Sequence, residues 1–193
     1  MELIGLYLMA AALLVVAGMA KAARPGDTAR ALGDIVPAWA GPVLTRRRLR
    51  TVIRLGGLFE AALGLVAIVF PRPVTAILVA TSYALFAGVV LYARSRGGAL
   101  SSCGCFGRAD TPATMLHALV DVVFAAACIA VAATAPSSGS LMTLLGHQPA
   151  AGVPLVFVSV VGLYLSYLTL AVLPSLEGAR RLAGHATARG EVP

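Results

Sequence analysis

The sequence predicts an all-α, polytopic transmembrane helical bundle. Of its 193 residues 59% are hydrophobic and only 12% charged, and the mean hydropathy is +0.90. Five long apolar intervals recur along the chain. Soluble domains carry about 45–50% apolar and about 25% charged residues, and even they have little polar surface to spare. The solvent of this exterior is therefore lipid. The same figures exclude other classes. Its 3 Cys are too few for a secreted disulfide scaffold, the charge is too sparse for a disordered tail, and no period marks a repeat array. A net charge of +7 would suit nucleic acid, but the arginines flank apolar runs, so the charge reads as a topology signal and no nucleic-acid partner is expected.

A helix crosses about 30 Å of hydrocarbon with roughly 20 residues. Leu3 to Ala20 is the first span, closed by Lys21. Glu2 precedes it while Lys21 and Arg24 follow, the reverse of a signal peptide, so the span is read as retained. Leu55 to Phe70 is shorter and interrupted by Glu60; Val74 to Ala93 is the third span. The fourth runs from Ala113 to Ala135 with His117 and Asp121 in its first turns, and the fifth is Val153 to Leu173, stopped by Pro174. Pro71-Arg72-Pro73 leaves almost no loop, which predicts that the second and third spans are antiparallel neighbours. Thr111 can cap the fourth helix, with Pro112 at its first position, where no N–H is needed. Between the first two spans, Ile35 to Ala40 is too short to cross and reads as an interfacial helix anchored by Trp39. After the fourth span, residues 136–193 supply a linker, the fifth span and an arginine-containing tail.

Lys and Arg counts set the orientation. Residues 21–54 hold Lys21 and seven arginines, 94–113 add Arg94, Arg96 and Arg108, and the tail adds Arg180, Arg181 and Arg189; only Arg72 falls on the other side. This predicts a multi-pass protein of the cell membrane with its N-terminus outside and the loop before the fourth span in the cytoplasm.

That loop reads Ser101-Ser102-Cys103-Gly104-Cys105-Phe106-Gly107-Arg108. Two thiols flanking one Gly can close a small ring, because Gly104 tolerates backbone angles other residues resist. Such a ring departs from relaxed disulfide geometry and is easily reduced, which suits exchange better than stapling. Arg94, Arg96 and Arg108, with the positive end of the fourth helix, favour thiolate. On the pattern alone, two inert thiols remain an equal reading. Cys103, Cys105 and His117 fall one ligand short of a closed zinc site, and Cys128 lies about 24 Å beyond Pro112 along the helix, so no metal is expected.

Ionisable groups at membrane depth are costly and face partners or cavities. Glu60 either fixes helix packing or accepts a proton from a thiol. Lys21 can pair with Glu60 if the first two spans pack together, or snorkel. His117 and Asp121, four residues apart, share a helix face and either satisfy one another or orient a base near Cys105. Gly56, Gly57, Ala61 and Gly64 permit close helix contact. Tyr83, Tyr92, Tyr164 and Tyr167 read as interfacial anchors or as the lining of a quinone site.

Cys103-Gly104-Cys105-Phe106-Gly107 resembles the Cys-Gly-Cys-Phe-Gly signature of the MauE family of methylamine utilisation membrane proteins, related to the DoxX-like group. The surroundings are similar: a first span ending in Lys and followed by a Pro- and Asp-containing turn (Lys21 to Asp27), an acidic residue in the second span (Glu60), the signature after the third, then Thr111-Pro112 and His117. The resemblance covers residues 1–135 and implies a DoxX-like four-helix core plus the fifth, C-terminal span. It further implies thiol-disulfide exchange through Cys103 and Cys105 with a thioredoxin-fold (TlpA/MauD-like) redox protein. The task would be maturing an exported client such as the methylamine dehydrogenase small subunit. Loop charges put the cysteine pair inside while such a client is outside. An electron carrier fed by a cytoplasmic reductant, with Cys128 as a relay thiol, reconciles the two. Two rivals stay open: a quinone-coupled oxidase resembling VKOR-like proteins, and a noncatalytic assembly scaffold.

Overall fold

A computed structural model describes residues 2–33, 45–95, 115–134, 160–162, 164–165 and 168. These contain helices α1 (Glu2–Ala23), α2 (Pro25–Gly33), α3 (Arg46–Val69), α4 (Pro73–Ser95) and α5 (Met115–Thr134). Four of them, α1, α3, α4 and α5, are long and apolar enough to cross a membrane. Residues 160–162, 164–165 and 168 are helical; the rest of the expected fifth span, the Thr111-Pro112 start and the Trp39 segment lie outside the described residues.

The four spans sit where hydropathy placed them, with one boundary changed. α3 begins at Arg46, nine residues before the apolar run. Thr45 caps it, its hydroxyl accepting the Arg48 N–H at 3.4 Å. The first turn has no acidic residue, although a helix N-terminus favours one, so packing must hold this end. It does so through α2, whose Ala29 and Leu32 cluster with Leu49 and Ile53. The expected turn from Lys21 to Asp27 is thereby corrected. Only Arg24 separates α1 from α2, which opens on Pro25, where the missing N–H costs nothing.

α1 and α3 run antiparallel in backbone contact. A Cβ added at Gly18 would lie 2.5 Å from the Gly57 carbonyl oxygen, and one at Gly64 would lie 2.6 Å from that of Ala11. Such approach is how apolar helices associate where lipid removes the hydrophobic drive. Gly57, Ala61 and Gly64 are buried along this seam, as expected, but Gly56 faces outward with open space around it. α4 and α5 form the second close pair, and α1 joins the pairs by packing on α5. The second and third spans are neighbours across the tight turn, as expected, but each packs most closely on another helix, α3 on α1 and α4 on α5. The physical reason is the small-residue seam, which draws α3 onto α1.

Two tyrosines, which sequence patterning did not single out as packing residues, cross-link the bundle. Tyr7 is fully buried; its hydroxyl donates to the Ala67 carbonyl at 3.1 Å and lies 3.1 Å from Thr75 Oγ1. Thr75 in turn accepts the Arg72 N–H at 3.0 Å, so the 70–72 turn is tied to α1. Tyr83 donates to the Ala10 carbonyl at 2.7 Å and packs against Phe86 and Phe124. Its burial overturns the belt reading for this residue, whereas Tyr92 and Tyr164 are exposed; Tyr167 lies outside the described residues. Tyr83→Phe is expected to cost about 0.6–1.7 kcal/mol, the range for hydrogen bonds between membrane helices, measured by denaturant unfolding in detergent.

Candidate functional site

The arrangement of the helices gathers the polar groups at one end of the bundle. α1 runs antiparallel to α3, and α4 packs beside α5 with Tyr83 against Phe124 at 5.3 Å between ring centroids. The last turns of α1 and α4 and the first turns of α5 therefore share an end. Segment 96–114, which carries Cys103, Gly104, Cys105, Phe106 and Gly107, leaves α4 and enters α5 there; these five residues lie outside the described part.

Lys21, in the last turn of α1, meets Glu60 of α3 with Nζ 2.7 Å from Oε2. The two side chains are only 9% and 16% exposed. The ammonium also sits 3.9 Å from the centroid of the Phe86 ring on α4, close enough for a cation–π contact. One lysine thus binds three helices together. Of the two readings open for Lys21, pairing is the one observed, and snorkelling is excluded by its burial. The position is local necessity: the Gly18–Gly57 approach brings the Lys21 Cβ beside Gly57, one turn from Glu60.

His117 is buried in the first turn of α5, with Asp121 half-buried one turn later on the same face. Both make polar or electrostatic interactions within the fold. They lie on the Lys21 side of Phe124, toward segment 96–114. Cys128 goes the other way. It is a free thiol, fully buried, in the same apolar cluster as Tyr7, Tyr83 and Phe124, about 20 Å along α5 from Met115. Among the described residues no group of three or more His, Cys, Asp or Glu could hold a metal ion. Sequence reasoning missed Phe86, whose signal was an aromatic residue in the middle of an apolar span; its use as a lid on a cation depends on tertiary placement.

Four apolar crossings with charged groups buried at one end define a multi-pass membrane protein. The chain belongs to the family described as methylamine utilisation protein MauE, whose model matches residues 2–135. No curated protein and no solved structure matches it.

Proposed function

We propose that this protein is an integral membrane thiol-disulfide redox protein that exchanges electrons through Cys103 and Cys105 with a thioredoxin-fold partner, in support of disulfide maturation of an exported client. The observation that carries the reading is the Cys-Gly-Cys-Phe-Gly motif in segment 96–114 of a MauE-family chain. The client that the resemblance implies, the methylamine dehydrogenase small subunit, is the first candidate to test.

The chemistry is a pair of displacements. The thiolate of one cysteine attacks the partner's disulfide and expels one partner thiolate; the second cysteine's thiolate then attacks the first sulfur, closing Cys103–Cys105 and releasing the partner as a dithiol. Two electrons pass to the partner, and the reverse sequence oxidises it. Arg94, Arg96 and Arg108 near the motif in sequence favour the thiolate form. His117 and Asp121 supply titratable groups at the start of the helix that follows.

Thiol trapping on sealed vesicles tests the proposal. Both cysteines are expected to label after treatment with a dithiol and to be protected after treatment with an oxidised thioredoxin-fold protein. Labelling from one face only fixes their side. Cys103→Ser with Cys105→Ser should abolish exchange, and the single variant that keeps the attacking cysteine should accumulate a mixed disulfide, which identifies that cysteine. Free thiols under every oxidant, or unimpaired client maturation in the double variant, would overturn the redox reading and leave a scaffold.

A further inference from the structure

The apolar exterior of α3 ends in a ridge of arginines that neither the fold nor the proposed redox chemistry uses. Leu58 and Leu65, in the same angular sector of α3 as Arg47 and Arg54, are 49% and 54% exposed and mark the lipid-facing surface. Immediately before them come Arg46, Arg47 and Arg50, with Arg54 at the border; all four are exposed. At 100° per residue, Arg47, Arg50 and Arg54 fall within one narrow sector, and Arg46, Arg50 and Arg54 stand one turn apart. Leu49 and Ile53 face the other way, into α2. Like charges at this spacing repel, and among the described residues none of these four arginines is in an ion pair; the salt bridge there is Lys21–Glu60. α2, clamped to the same stretch of α3, exposes Arg30 alongside. The four α3 arginines therefore stand at the rim of the apolar band, on a helix fixed by its neighbours, in no ion pair among the described residues.

We infer that the Arg46–Arg54 ridge of α3, flanked by α2, binds the phosphate headgroups of anionic phospholipids in the adjacent leaflet. Charge complementarity and depth both select this occupant. A guanidinium presents paired N–H donors to a phosphate, and a ridge continuous with a lipid-facing surface meets phosphodiesters at the height where they lie. Zwitterionic lipids offer the same phosphate with a cation attached and compete poorly.

The test uses the full-length protein in nanodiscs of equal parts phosphatidylglycerol and phosphatidylcholine, with co-purifying lipids counted by native mass spectrometry. Phosphatidylglycerol is expected to be enriched among the retained lipids. Arg47→Gln, Arg50→Gln and Arg54→Gln together should lower the enrichment about fivefold for each arginine removed, the worth of one juxtamembrane cation. The corresponding Lys triple variant should keep most of it. For the unmodified protein, enrichment must also fall as salt is raised, a measurement independent of how the variants fold. Equal retention of the two lipids, salt-independent enrichment, or displacement of phosphatidylglycerol by an equal concentration of inorganic phosphate would overturn the inference.

Discussion

Gly57→Leu is expected to prevent α1 and α3 from assembling, with Gly18→Leu doing the same. Even a Cβ at Gly57 would lie 2.6 Å from the Gly18 carbonyl oxygen and 3.0 Å from the Ala22 nitrogen. Backbone atoms of a helix cannot rotate away as a side chain can, so relief requires the two helices to separate along the whole seam. Overpacking a well-filled core costs about 1–3 kcal/mol where neighbours can shift. Here Gly57→Ala should reach the upper end of that range, and Leu should exceed it and abolish the native state. Separation would also pull the Lys21 backbone from Gly57 and so break its reach to Glu60, coupling the packing defect to the polar end of the bundle. Gly56→Ala and Gly88→Ala are the matched controls, because nothing lies within 4 Å of a Cβ at either site. Thermal unfolding in detergent, followed by helical circular dichroism, checks the series. Equal stability of Gly56→Ala and Gly57→Ala would refute the backbone-contact account.

This seam shows what a membrane sequence discloses and what it withholds. The four spans were legible because length and hydropathy follow directly from bilayer thickness. Their pairing was not, since residues facing lipid and residues facing another helix are equally apolar. Phe59 and Leu65 are as hydrophobic as Leu63, yet only Leu63 is buried. Small residues carried a partial signal: Gly57, Ala61 and Gly64 marked the right face of α3, but Gly56 beside them misled, and their counterparts Ala11, Gly18 and Ala22 on α1 were lost among the nine Gly and Ala residues of that helix. The Pro71–Pro73 turn suggested α3 and α4 as partners because chain connectivity is visible in sequence and small-residue complementarity is not. α2 escaped notice for another reason. Its nine residues are weakly apolar and depend on Leu49 and Ile53, which are distant in sequence. The candidate site was legible where charge made it conspicuous. Lys21 stands out as a charge closing one apolar run and Glu60 as the opposite charge inside the next, and the cysteine motif stands out by spacing alone, whereas Phe86 acquires its role only from the fold.

Lys21→Met is the second substitution with a large expected effect. Removing one partner of a buried ion pair leaves the other uncompensated, at a cost of about 3–5 kcal/mol, while replacing both by apolar residues of similar volume is often neutral. The single variants Lys21→Met and Glu60→Leu should therefore each unfold far more readily than the unmodified protein, and the double variant should recover most of the loss. That recovery separates two roles for Glu60. If the carboxylate serves only to hold α1, α3 and α4 together through Lys21 and Phe86, a restored double variant should also keep thiol-disulfide exchange within a few-fold. The geometry favours this outcome, because the Glu60 Oε2 is engaged at 2.7 Å by an ammonium that is itself covered by an aromatic ring. A double variant that is stable yet cannot exchange would instead assign the carboxylate to proton transfer at the cysteine pair. Phe86→Leu provides the complementary reading: it retains the apolar volume but removes the ring face, and should cost about 0.5–2 kcal/mol only while Lys21 is present. Made in the Lys21→Met, Glu60→Leu background, it should change stability far less, a non-additivity that a double-mutant cycle measures directly.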